Sequence, residues 1–160
     1  MRHYFVWLTL AGLSLSAAAA EAESPAWPIS CKGAVCTASR TLQDTTSGRP
    51  VATILFAAAK GSPDLNIGAA LPLGIALDAG ARFVNGTTAT PLTFEVCFPD
   101  GCRAMTRAGV ADAQALAAAA NGFDLQFFPY GQEKPVAITV PSDGLAEALV
   151  ELRKQADALP

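Results

Sequence analysis

Along the chain, apolar and polar residues alternate over short stretches cut by glycine, proline and Asn-Gly. Alternation with a period of two marks strands that bury one face. Trp27 to Cys31 and Val35 to Leu42 read as a first strand pair around Lys32-Gly33. A polar loop, Gln43 to Arg49, leads through Pro50 into Val51 to Ala58, an apolar run of strand length. Leu65 to Leu71 and Ile75 to Leu77 follow, separated by Pro72-Leu73-Gly74. Arg82 to Val84 ends at Asn85-Gly86, a strong hairpin signal. From Leu92 to Phe98 the pattern places Leu92, Phe94, Val96 and Phe98 on one face and Thr93, Glu95 and Cys97 on the other. Phe123 to Phe128 and Val136 to Val140 bring the expectation to about eight strands.

Two stretches change period. Asp112 to Ala120 is rich in alanine, the best helix former, and stops at Asn121-Gly122. Asp143 to Leu159 begins after Pro141-Ser142 and sets Leu145, Ala148, Leu149, Leu152, Ala156 and Leu159 at helical spacing. Glu147, Glu151, Lys154 and Asp157 fall opposite them, so this helix docks on the domain and lacks the basic face of a membrane-surface helix. Together these elements predict a mainly β fold. Its expected form is an antiparallel β-sandwich of about eight strands, with one short helix and a C-terminal helix at its edges or ends.

The first twenty residues have a different character. Met1-Arg2-His3 is a basic start, Tyr4 to Leu15 is apolar apart from Thr9, Gly12 and Ser14, and Ala17 to Ala20 supplies small residues before a cut. This order predicts a cleaved secretory signal peptide over residues 1–20, leaving a single domain over 21–160. Without Arg2 and the rest of the leader, 140 residues carry ten basic against fourteen acidic side chains, a charge of −4. His3 is the single histidine, so the mature chain is expected to have none. A hydrophobic fraction of 51% excludes a disordered chain, and the acidity provides no electrostatic footprint for nucleic acid. No stable membrane insertion is expected after cleavage.

All four cysteines lie beyond the leader, as Cys31-Lys-Gly-Ala-Val-Cys36 and Cys97-Phe-Pro-Asp-Gly-Cys102. In an exported chain an even count reads as disulfide-bonded. Three connectivities are possible. Turn signals inside each pair favour the local one, Cys31–Cys36 and Cys97–Cys102. Phe98-Pro99-Asp100-Gly101 suits a type I turn closed by glycine, which would face Cys97 and Cys102 across two strands. The same spacing sits at the loose end of zinc-ligand patterns, which belong mainly to reducing compartments, and no Cys-x-x-Cys is present.

Little catalytic chemistry is available. A chain without histidine has no Ser-His-Asp or Cys-His site and no His-bearing metal centre. Gly-x-Ser-x-Gly, Ser-x-x-Lys and phosphate-cradling glycine loops are missing, and no calcium loop is seen. Asp143, Glu147 and Glu151 recur at helical spacing and read as a solvated face, while Asp44, Asp64, Asp78 and Asp124 adjoin turn residues. Asn85-Gly86-Thr87 matches a glycosylation sequon but reads as a turn. Trp27, Phe56, Phe94, Phe98, Phe123, Phe127, Phe128 and Tyr130 read as core at strand spacing, except that adjacent Phe127 and Phe128 point to opposite faces, so one leaves the core. No cofactor or metal is expected.

Three blocks carry a resemblance. Leu-Pro-Leu-Gly-Ile-Ala-Leu-Asp-Ala-Gly (71–80), Leu-Thr-Phe-Glu-Val-Cys-Phe-Pro-Asp-Gly-Cys-Arg-Ala (92–104) and Phe123-Asp-Leu-Gln-Phe, with Gly144-Leu145, Ala148-Leu149 and the upstream Trp27, Cys31 and Cys36, resemble the invasion-associated locus B family over nearly all the mature chain. The resemblance implies a small exported α-proteobacterial protein with a compact β-sandwich and no known catalytic residues. The founding members are tied to invasion of host red cells. Ala117 to Asn121 stands where relatives carry lysines, and Leu145 where a phenylalanine is expected, so no basic contact surface is expected there.

The expected function is that of a non-enzymatic periplasmic or surface protein engaging a protein or envelope component. Its candidate binding loop is Phe98, Pro99, Asp100 and Gly101. One alternative is a periplasmic glycan hydrolase, requiring two carboxylates converging at roughly 5–10 Å. Another is a small-ligand carrier, requiring an apolar cavity between the sheets.

Overall fold

The structure, a computed structural model, describes residues 26–160; the predicted signal peptide lies outside them. In chain order the elements are β1 (Ile29–Lys32), β2 (Val35–Gln43), β3 (Pro50–Ala59), β4 (Leu65–Leu71), a 3-10 turn at Leu77–Ala79, β5 (Ala81–Asn85), β6 (Thr88–Phe98), β7 (Gly101–Ala108), α1 (Val110–Ala117), β8 (Phe123–Phe127), β9 (Val136–Val140) and α2 (Leu145–Asp157). All nine strands belong to one antiparallel sheet, ordered β1-β2-β3-β4-β7-β6-β5-β8-β9 and curled into a half-barrel. The chain is mainly β as predicted, but it is not a two-sheet sandwich, and the strands number nine. Alternation along a strand reports that one face is buried; it does not say whether a second sheet or a helix covers that face.

Here helices help to fill the concave side. Leu145, Ala148, Leu149, Leu152 and Ala156 of α2 are buried, and the helix rests on β1, β2 and β3. Inward-facing Ala38, Ala52 and Ala58 let it come close, while Ile54 and Phe56 fill the space between them. The shorter α1 lays Ala113 and Leu116 near β4 and β7. On the other half of the sheet, Phe83 and Phe123 meet edge to face at 5.2 Å.

Two strands depart from expectation. Ile75 makes only an isolated bridge to Pro129, so the predicted strand at 75–77 is absent. In its place β7 enters the sheet, a strand that the sequence implied at Cys102 through the stapled turn but whose extent it did not mark. Its buried positions are Gly101, Cys102, Ala104 and Ala108, whereas Arg103 and Arg107 face out. Alanine contributes little strand signal, and the outer Met105 blurs the alternation.

A latch ties the N-terminal edge to the start of α2. Buried Trp27 packs edge to face on Phe56 at 5.5 Å, and its Nε1 donates to the Asp143 carbonyl at 3.0 Å. Arg40 lies 5.8 Å from the Trp27 ring centroid and pairs with the Asp143 carboxylate at 2.8 Å. Asp143 thus precedes the helix, which begins after Gly144, where φ is +70°.

Candidate functional site

The candidate loop is shaped by an irregularity in β6. Phe94 lies opposite Ala104 and Val96 opposite Arg103, so Glu95 has no partner residue. Such a β-bulge reverses the alternation beyond it. Val96 and Phe98 therefore leave the core face predicted for them and stand 41% and 44% exposed. The Arg103 guanidinium sits 5.1 Å from the Phe98 ring centroid, supporting the ring from one side.

The loop itself is tightly held. Cys97 and Cys102 are bonded, with Cα atoms 3.9 Å apart, and lie directly opposite in register, as do Cys31 and Cys36. This is the local connectivity that the turn signals favoured. Between Phe98 and Gly101, Pro99 and Asp100 form the turn, without positive φ at either. Gly101 has φ +145°, and a Cβ there would sit 2.3 Å from the Leu71 carbonyl oxygen. Only glycine fits both the dihedral and the contact. The hairpin is thereby pressed against the end of β4, two residues before Leu73, itself 57% exposed. Asp100 borders a hollow of about 230 Å³ beside Pro50 and Pro72.

The other singled-out residues are dispersed. Trp27, Phe56, Phe123 and Phe127 are buried, Phe94 and Phe128 partly so, and Tyr130 is 82% exposed. Phe128 is the one of the Phe127-Phe128 pair that leaves the core, resting beside Arg82 and Leu92. The side-chain nitrogen of Asn85, in the Asn85-Gly86 turn, donates to the Ala115 carbonyl at 2.8 Å, which ties the β5–β6 hairpin to α1.

Among the described residues no carboxylate is buried, and no group of three or more His, Cys, Asp or Glu comes together to hold a metal. Hydrogen bonds from the Ser47 backbone and hydroxyl hold Asp44 below the ordinary carboxylate range. Those from Gln155 and Lys154 do the same for Glu151. With a single sheet, the between-sheet cavity required of a carrier has no counterpart. An apolar groove of about 470 Å³ runs instead between α1 and α2. Sequence reasoning had no sign of it, because the two helices are brought together only by folding. No helix of the described residues is long and apolar enough to cross a membrane.

Comparison with protein families matches residues 18–153 to the description "Invasion associated locus B (IalB) protein". No curated protein matches significantly. Among solved structures, the crystal structure of invasion-associated protein B from Bartonella henselae superposes with a TM-score of 0.70. It is 20% identical, and the alignment covers 82% of this chain and 94% of that chain. At that identity the likeness carries the fold, while the family rests on the sequence match.

Proposed function

The chain belongs to the invasion-associated locus B family, and from that premise we propose that it is a non-enzymatic exported protein which engages a macromolecular partner, in the envelope or on a host cell, through the Phe98–Gly101 hairpin. The observation that carries this reading is Phe98, an aromatic side chain turned out to solvent on a loop immobilised by a disulfide, a proline and the contact of Gly101 with Leu71. A loop already ordered loses little entropy on binding, and aromatic side chains are frequent anchors of interfaces. Val96 and Leu73 extend the apolar surface beside it.

The carboxylates favour no hydrolytic reading. A glycosidase acid needs a raised pKa, whereas the shifts seen at Asp44 and Glu151 are downward. The leader over residues 1–20 supports export and the single domain 21–160 as the mature form.

Location is the first point to test. Protease added to intact cells should digest the protein while a soluble periplasmic control survives, if it acts on the surface. Survival until the outer membrane is opened restricts the partner to the periplasm. A photocrosslinking residue at position 98 should then give discrete adducts, and one at position 35 none. Equal labelling from both positions would sink the hairpin as the contact site.

A further inference from the structure

We propose that the groove between α1 and α2 binds one long-chain carboxylate, with its alkyl chain along the helices and its head group on Arg153. The walls are Val110 and Ala117 from α1 and Leu149 and Val150 from α2, over Leu65 of β4. At about 470 Å³ the groove falls within the size of small-molecule sites, roughly 300–1,000 Å³. Val110 is 43% and Val150 72% exposed, so apolar surface in a concave recess is left to water, where a covering alkyl chain would be favoured.

Charge selects the head group. Among the described residues the only polar side chains lining the groove are those of Gln114 and Arg153, and no carboxylate lines it, on a chain that is acidic overall. Arg153 reaches from α2 to the β3–β4 turn and donates to the carbonyls of Ser62, Pro63 at 3.2 Å and Asp64 at 3.5 Å. Those carbonyls fix the guanidinium at the groove without cancelling its charge. The ion pairs among the described residues are Arg40–Asp143 and Lys154–Glu151, so no described carboxylate pairs with Arg153. A guanidinium has five N–H donors. The three carbonyl bonds take one hydrogen of Nη1 and both of Nη2, leaving one on Nε and one on Nη1 for single charge-assisted hydrogen bonds to a carboxylate.

The test is calorimetric titration of the purified protein with dodecanoate below its micelle concentration, alongside dodecanol and dodecyltrimethylammonium. Saturable one-to-one binding of dodecanoate is expected. Its affinity should rise about two- to fourfold per methylene from octanoate upward. Dodecanol, lacking the charge, should bind at least about tenfold more weakly, and the ammonium not measurably. Because Arg153 also holds the turn, the variant for the test is Val150→Asp, at an exposed site. It should keep the circular dichroism of the parent and lose dodecanoate at least about tenfold. Equal binding of acid and alcohol, undiminished binding by Val150→Asp, absence of saturation, or binding only to phosphatidylglycerol vesicles would each overturn the proposal.

Discussion

At the edge of the sheet Cys31 and Cys36 close a hairpin across Gly33 and Ala34, and near its middle Cys97 and Cys102 close another across Pro99 and Asp100. The cross-links are alike: five residues of separation, Cα atoms 3.9 Å apart, one cysteine buried and its partner exposed. The loops are not. Gly33 has φ +60°, suited to the first position of a type II′ turn, and nothing lies within 4 Å of where its Cβ would be. Gly101 has φ +145° and is jammed against the Leu71 carbonyl, and the bulge at Glu95 turns Val96 and Phe98 outward. A disulfide of this span rigidifies whatever it closes; what a loop displays is decided by register and by the backbone it leans on.

Substitution of the two glycines should separate the loops most sharply. Gly101→Ala should cost about 3 kcal/mol or more, adding backbone strain to the collision with Leu71. Gly33→Ala should cost about 1 kcal/mol, the strain alone. Urea denaturation of both variants measures the difference, and equal losses would contradict the close contact at Gly101. Removing the cross-links should erase that contrast. Replacing Cys31 and Cys36 together by alanine, or Cys97 and Cys102 together, should each cost about 2 kcal/mol, because loops of equal length confine the unfolded chain equally.

A smaller effect is expected from Phe98→Ala. Its ring is nearly half exposed and supported only on one side by Arg103, so stability should change by less than about 1 kcal/mol. Adducts from a neighbouring crosslinker at position 96 should nonetheless fall markedly. A large loss of stability would mean that the ring belongs to the core. The smallest effect concerns a reversal closed without sulfur. Between β2 and β3 the Asp44 carboxylate accepts hydrogen bonds from the Thr46 and Ser47 amides and the Ser47 hydroxyl. Its pKa is lowered in the fold, so this contribution is present above the unfolded value and is lost as pH falls through the folded one. The protection factors of the Thr46 and Ser47 amides, taken against the intrinsic exchange rate at each pH, should fall in acid, while those of residues 97–102 remain unchanged. An equal fall in both loops would deny Asp44 its role.

Turn chemistry and period carried most of the fold into the sequence. The Asn85-Gly86 hairpin, both stapled turns and the apolar stripe of α2 were legible because each is specified within a few residues. What was lost depends on neighbours distant in the chain. The extra residue at Glu95 has meaning only against β7, and the extent of β7 beyond Cys102 was hidden by the alanines that make room on the concave face. The candidate loop was identified from its turn and cysteines, but the outward aim of Phe98 was not. A half-barrel filled by α2 and a sandwich impose the same alternation on each strand, which is why the architecture was misjudged.

The latch of Trp27, Arg40 and Asp143 also has a consequence in time. The Trp27 indole and the carbonyl that accepts its hydrogen bond are 116 residues apart, and α2, which covers the first strands, is made after all nine described strands. During synthesis the first strands must wait, uncovered, for nearly the whole chain to appear. For a protein exported as proposed, such late closure keeps the polypeptide threadable until α2 is through, and completes the domain only on the far side.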